Sequence, residues 1–409
     1  MPDVAIIGVG IHRFGRFPGK PALAMGAEAA REALSDAGLS WADMQFAVGG
    51  SYEVDQPDAV VAELGLTGVQ FTNVYNGCAT AGSALALASQ TIELGRHEIG
   101  LVLGMDKHEP GAFTADPQEY GCPPWYGEMG LFLTTKFFGM KINRYMHDHG
   151  ITSGTLAAVA EKNYRNGSLN PHAHRRKPLT SEEILGSRMV NHPLTQYMFC
   201  SPNEGAAALV VCSADVAHRY TDTPVYLRSV VTRTRRYGAF EVHTPAASLA
   251  ADHVPAPTVD AAKAAFEAAG VDPRDVGIAQ LQDTDAGAEV IHLAEVGLCE
   301  DGAQGELIAS GATGLGGSLP VNTDGGLIAN GEPVGASGLR QVRELVLQMR
   351  GRAGERQVPT APRVGLAQLY GAPGVAAVSV LSTCRVGGDP AIGAVRAVSP
   401  RPPRSSAGR

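Results

Sequence analysis

Two stretches of this 409-residue chain carry residue types suited to covalent chemistry, in matching settings. NGCATAGSA runs from Asn76 to Ala84 and NGEPVGASG from Asn330 to Gly338; each opens on an Asn-Gly turn and leads into an apolar helical pattern. The first holds Cys78 where the second holds Glu332. A cysteine on a strand-to-helix turn sits near the positive end of the helix dipole, which favours thiolate and so activates a nucleophile. Among Ala79, Thr80, Ala81 and Gly82 an isolated cysteine would read as a packing residue, and it is the duplicated turn that favours chemistry. Glu332 has three readings: a partner for the helix dipole, a base if burial raises its pKa towards neutrality, or a like charge that opposes thiolate formation.

The elements that must position these residues are themselves repeated. Ala29 to Gly50 and Ala261 to Gln282 each read as an Ala-rich amphipathic helix, a glycine stop, a short turn with an aspartate, and an apolar strand. Gly38 and Gly270 fall where a helix end wants a left-handed residue, and Asp43 and Asp275 fall together in the turns. VQFTNVY and SLPVNTDGGLIA are the extended segments before the two Asn-Gly turns. EIGLVLGMD and RVGLAQLYG follow the two helices, and GAAALVVCSA and GVAAVSVLST close the two halves. Two α/β halves related by a pseudo-two-fold would bring the Asn76 and Asn330 turns together at the centre, with Cys78 and Glu332 converging on one pocket.

The halves differ by one long insertion. Residues 1–105 and 200–220 form the expected N-terminal half, 221–384 the C-terminal half, and 106–199 an inserted lid over the site. Residues 385–409 are rich in Gly, Pro, Ser and Arg and are expected to be a disordered tail. A net charge of −8 argues against general affinity for nucleic acid or for a membrane surface. The opening MPDVAIIGVG lacks a cationic leader, and no apolar run is long enough to span a bilayer. Six scattered cysteines with no CxxC pair suggest neither a disulfide framework nor a metal site, and point to a reducing cytoplasm.

VYNGCATAGSA resembles the nucleophile motif of the thiolase superfamily, above all the sterol-carrier-protein-type thiolases and their lipid-transfer-protein relatives. VAIIGVGIHRFGR, LVLGMDKHEPG, SPNEGAAALVVCS, AEVGLCEDG and VNTDGGLIANGEPVGASGLRQ extend the likeness from Val4 to Ser382. The resemblance implies a duplicated, five-layered αβαβα fold with a lid, a homodimer, and acyl-CoA chemistry through an acyl-cysteine. A coenzyme A thioester would be substrate, with no tightly bound cofactor. The backbone N–H groups of Cys78 and Gly371 match the family's oxyanion hole, where such donors are worth about 3 kcal/mol each.

The chain departs from the family pattern at both usual histidines. Glu332 stands in place of the histidine of a Gly-His-Pro turn; Gln282, Asp283, Thr284 and Asp285 stand in place of a His-Asp-Cys-Phe segment. Gln282 could donate to a thioester oxygen, Glu332 is the first candidate for proton transfer, and Asp283 and Asp285 are acids or bases unless they are caps. Related lipid-transfer-protein aldolases break a β-hydroxyacyl-CoA by retro-aldol chemistry, often with a tyrosine base and an OB-fold or zinc-ribbon partner. Tyr75 and Tyr370 would serve there, although position 282 is not the tyrosine of that branch. A non-catalytic subunit is the third reading. As substrate-binding residues the resemblance suggests Tyr75, Tyr370, Asn330 in the second turn, His108 at the entrance, and Arg175 and Arg176 in HAHRRKP as a grip for a CoA phosphate.

Overall fold

The computed structural model describes residues 3–114, 116–120, 122–239, 253–372 and 374–385, so the expected tail, apart from Arg385, lies outside the described residues. The repeated helix–turn–strand unit folds alike in both halves. Helices α1 (Ala22–Asp36) and α8 (Pro257–Ala269) each bury an alanine-rich face. They stop at Gly38 and Gly270, whose φ angles of 67° and 61° are left-handed. Each then enters a single turn closed by a capping box, Ser40 with Asp43 and Asp272 with Asp275. Strands β2 (Phe46–Gly50) and β9 (Ile278–Gln280) follow.

The other strands are β1 (Val4–Gly15), β3 (Gln70–Val74), β4 (Ile99–Lys107), the small hairpin β5 (Met189–Asn191) and β6 (Leu194–Thr195), β7 (Glu204–Ser213), β8 (Val225–Thr234), β10 (Val364–Gly371) and β11 (Val375–Ser382). Nine of them hydrogen-bond in the order β3-β2-β4-β7-β1-β8-β11-β10-β9. The seam between the halves is short: Val4, Ala5 and Ile6 of β1 face Leu227, Tyr226 and Val225 of β8. β10 occupies in the second half the place that β4 has in the first, and β11 that of β7. The partner of β3 is reduced to a single bridge, Val321 to Ala279. In the segment SLPVNTDGGLIA, expected to be extended, Gly326–Asn330 is instead the short helix α11.

Helices α3 (Thr80–Glu93) and α12 (Val334–Met349) pack on each other between the two half-sheets, while α1 and α8 cover the outer faces. This is the expected αβαβα layering. Ala81, Ala84, Leu85 and Ala88 of α3 join Leu339, Val342, Leu345 and Val346 of α12 in one core cluster with side chains from both half-sheets. Each fully buried Leu or Val there contributes about 1.5–3 kcal/mol. α12 is buried all round, so its charges are paired: Glu344 takes Arg356 at 2.9 Å, and Arg340 takes Asp324.

The stretch from β4 to β7 holds α4 (Trp125–Glu128), α5 (Thr134–His149), α6 (Ser153–Ser168) and α7 (Ser181–Leu185). This is the stretch expected from the sequence to form a lid. α5 and α6 both pack on α9 (Ala286–Glu295), and α6 also packs on α10 (Gln304–Ala309) and α11 of the C-terminal half. The short α2 (Val61–Leu64) flanks α1. Among the described residues no helix is long and apolar enough to cross a membrane.

Candidate active site

The Cys78 turn is built by its neighbours. The Asn76 N–H donates to Thr80 Oγ1 at 2.9 Å, and that hydroxyl donates to the Gly77 carbonyl at 2.6 Å. Gly77 takes the left-handed φ of 53° that the turn needs, and α3 begins at Thr80. The turn leaves Cys78 half-buried in the lining of an open cleft of about 920 Å3, a volume that includes its solvent-filled mouth. The end of β10 presses against it from behind. A Cβ on Gly371 would lie 2.9 Å from the Cys78 nitrogen and 2.8 Å from the Asn76 carbonyl oxygen. The two backbone segments expected to form an oxyanion hole are thus adjacent, and only glycine permits the approach.

Glu332 reaches the same cleft from the start of α12. Its N–H donates to the Ser201 carbonyl at 2.9 Å, and its side chain is fully buried. The carboxyl group accepts from Gln282 Nε2 at 2.8 Å and from Cys200 Sγ at 3.5 Å, and it faces the same cleft as Cys78. Burial raises the carboxyl pKa against the opposing pull of these hydrogen bonds. The thiol of Cys78 is pushed well above the ordinary cysteine value, first by burial and then by the negative charge of Glu332. That corrects the expectation of a dipole-stabilised thiolate. Desolvation and a like charge outweigh the helix terminus, so the resting group is a neutral thiol.

Other sequence candidates take different places. Tyr75 lies exposed at the cleft mouth, and Tyr370 is buried in its wall. Gln282 is fully buried and gives its amide to Glu332, so it positions the acid and is not a donor to substrate. Asp283 is not in the cleft: it accepts from the N–H groups of Leu327 at 2.6 Å and Ile328 at 3.2 Å and from Asn163 at 2.9 Å, fixing α11. Asp285 caps α9 through Gly287 and Ala288. The cap reading holds for Asp285, whereas Asp283 is a tertiary anchor for the first turn of α11.

Asn330 is likewise structural, bonded to the Asp324 and Gly326 carbonyls at 3.0 and 2.7 Å. Arg175 donates through Nη1 to Tyr164, to the Phe199 carbonyl and to the Ile328 carbonyl, which braces the segment after α6 on α11, and it is not among the residues that line the cleft. Arg176 is exposed and outside the cleft lining. His108 sits behind the wall, not at the entrance. Its Nε2 accepts the Val334 N–H at 3.2 Å, and its Nδ1 meets Glu53 at 3.1 Å. Burial opposes its protonation, but Asp106 and Glu53 outweigh burial and raise its pKa. Its ring packs on Phe113 at 5.0 Å, and Phe113 does line the cleft.

Two features escape a reading by sequence motif. Cys200, where the lid returns to β7, lines the cleft beside Cys78 and shares Glu332. Phe113, Phe132, Phe138 and Phe199 of the lid give the cleft an aromatic wall. Neither lies within the repeat, so no internal copy flags it. Among the described residues that line the cleft there is no histidine, lysine or arginine, and Glu332 is the only acid. Among the described residues no cluster is arranged to hold a metal ion.

Comparison with known proteins agrees with this fold. Residues 4–183 match the thiolase N-terminal domain and residues 239–383 match the thiolase C-terminal domain-like family. Acetyl-CoA acetyltransferase of Methanothermobacter thermautotrophicus is 33% identical over 93% of this chain and all of its own. Sterol carrier protein 2 of Oryctolagus cuniculus is 30% identical, over 93% of this chain and 72% of its own. The structure of an Ltp2-ChsH2(DUF35) aldolase superposes with a TM-score of 0.82 at 24% identity, covering 94% of this chain and 99% of that one, and carries the fold alone. The chain belongs to the thiolase family.

Proposed function

We propose that the protein is a thiolase-type acyltransferase that makes or breaks a carbon–carbon bond next to an acyl-CoA thioester, carrying the acyl group on Cys78. The observation behind this is that Cys78 and the buried Glu332 carboxyl group converge on one cleft, near enough for the Glu332 charge to act on the thiol. Glu332 takes the S–H proton as sulfur attacks the carbonyl carbon. Its raised pKa brings it closer to the pKa of a thiol and makes it a better base for this step than an ordinary glutamate. The oxyanion that forms faces the amides of Cys78 and Gly371, which exchange no proton and stabilise it by charge. Collapse expels the leaving group, which takes the proton back from Glu332 and leaves an acyl-cysteine. The aromatic wall keeps water from that thioester. The coenzyme A thioester is substrate, no tightly bound cofactor is needed, and the working unit is a homodimer in the cytoplasm.

The half-reaction is testable without knowing the second substrate. Labelled free CoA should exchange into acyl-CoA at a rate that Cys78→Ala abolishes. An unchanged rate in that variant would rule out the covalent route. A second reading, retro-aldol cleavage of a β-hydroxyacyl-CoA together with an OB-fold or zinc-ribbon partner, draws support from the likeness to the aldolase complex and from Tyr370 in the wall. It predicts that Cys78→Ala still releases aldehyde or ketone from such a thioester.

A further inference from the structure

A small side chamber lies behind the aromatic wall of the cleft. Phe138 of α5 and Tyr370 near the end of β10 border both spaces, with ring centroids 6.3 Å apart, while neither Cys78 nor Glu332 is among the described residues that line the chamber. The boundary is therefore two rings, which can turn where backbone cannot. Past them Ile142 and Ile291 give apolar surface, and Lys141, Asp285 and His292 supply the polar groups.

Most of these polar groups answer one another. The Lys141 ammonium lies 3.5 Å from Glu295 Oε1 and 5.0 Å from the centre of the Tyr370 ring, and His292 Nδ1 meets Glu295 Oε2 at 2.7 Å. Burial opposes ionisation of Glu295, but Lys141 and His292 outweigh it and bring the pKa to about 2, so the Lys141 and Glu295 charges offset each other. Burial lowers the His292 pKa and favours a neutral ring. Asp285 is different. Its Oδ1 caps α9 through Gly287 and Ala288, whereas no hydrogen-bond donor among the described residues reaches its Oδ2, although the residue is 1% exposed and lines the chamber. A buried polar atom left unpaired is costly, and a ligand group that bonds it recovers the cost.

We propose that the chamber is a subsite for a hydroxyl group at the far end of the acyl chain carried on Cys78, bonded through Asp285 Oδ2, so that the substrate is an acyl-CoA hydroxylated at a distance from its thioester. A charged chain end would have to shed its water to pass the aromatic wall, where a hydroxyl loses far less. A hydroxyl also both gives and accepts a hydrogen bond. It therefore suits Asp285 ionised or protonated, and burial raises that pKa to about 7, so both forms are present near neutrality. The inference rests on the acyl-cysteine reading above.

The test uses the full chain and the exchange of labelled CoA, read as kcat/KM over straight-chain acyl-CoAs from butanoyl to hexadecanoyl, each plain and with a hydroxyl on its last carbon. At the length that reaches the chamber, the hydroxylated thioester should exchange about 10- to 100-fold better than its plain partner, the worth of one hydrogen bond to a charged group. Asp285→Leu, close in shape but without either oxygen, should bring that ratio to about one. A chain ending in a methoxy group accepts but cannot donate. In wild type its advantage over the plain chain should appear below about pH 7, where Asp285 holds a proton, and vanish above; in Asp285→Asn, whose amide always donates, it should persist at both. This second readout decides the matter even where Asp285→Leu does not fold. Equal exchange of hydroxylated and plain chains at every length, or a preference that survives Asp285→Leu, overturns the subsite and leaves the acyl-cysteine reading standing. A wild-type protein that exchanges label into no acyl-CoA overturns both.

Discussion

Gly371 stands so close to the cysteine turn that a methyl group on it would come within 2.9 Å of the Cys78 nitrogen and 2.7 Å of the Ala79 nitrogen. Both contacts are with backbone, which cannot swing aside as a side chain can. Gly371→Ala should therefore displace one of the two amides from the oxyanion position. The expected cost is about 100-fold or more in kcat, the size of losing one oxyanion donor. KM should change less than kcat, and the circular dichroism spectrum should stay native. Steady-state kinetics decide it.

Glu332→Gln should move two observables in opposite directions. Removing the negative charge lowers the Cys78 thiol pKa, so the pH midpoint for alkylation of Cys78 by iodoacetamide, read by peptide mass, falls towards the ordinary cysteine range. Turnover nevertheless drops by about 100- to 10,000-fold, because the proton acceptor is gone. A packing role for Glu332 would move neither in this way.

The acidic limb of the pH–rate profile follows from the same carboxyl group. Burial raises its pKa, and it accepts a proton only when ionised. The limb should thus lie above the usual glutamate range of about 4.3 and vanish in the residual activity of Glu332→Gln. A profile flat down to pH 4 would deny Glu332 the role of base.

Asp285 offers a stability test outside the cleft. Burial raises its pKa from 3.8 to about 7. The folded state therefore holds this proton more tightly than the unfolded chain. Stability from Asp285 is fully present below pH 4 and is lost as pH rises from about 4 to 7, by about 4 kcal/mol at the full shift. Asp285→Asn keeps the Oδ1 cap on Gly287 and Ala288 but removes the titration. Urea melts of both proteins at pH 4.5 and 7.5 should show the variant gaining relative stability at the higher pH.

The two neighbouring arginines should separate cleanly. Arg175→Ala removes donors to the Phe199 and Ile328 carbonyls and should cost about 2–3 kcal/mol with a lower Tm. Arg176 is exposed, and Arg176→Ala should stay within about 0.5 kcal/mol of wild type. Thermal melts compare them directly.

What the sequence disclosed follows from what repeats. Gly38 and Gly270, Asp43 and Asp275, and Cys78 and Glu332 came in pairs, so a local pattern in one half vouched for the other. The helix between Gly326 and Asn330 and the lid's return at Cys200 have no copy, and there pattern gave no help. Asp283, Asn330 and Arg175 show a different limit. A polar side chain announces its chemistry but not its partner: Asp283 and Arg175 bond backbone groups brought near by tertiary folding, and Asn330 bonds carbonyls of its own preceding turn. The protonation of Cys78 turned on burial against a helix dipole, and burial is not a local property.

The most direct measurement is the mass of the Cys78 peptide after rapid acid quench of the protein mixed with an acyl-CoA. The expected result is an acyl adduct on Cys78 formed at least as fast as turnover, absent in Cys78→Ala and greatly slowed in Glu332→Gln. An unmodified Cys78 during turnover, with full activity retained in Cys78→Ala, would contradict it.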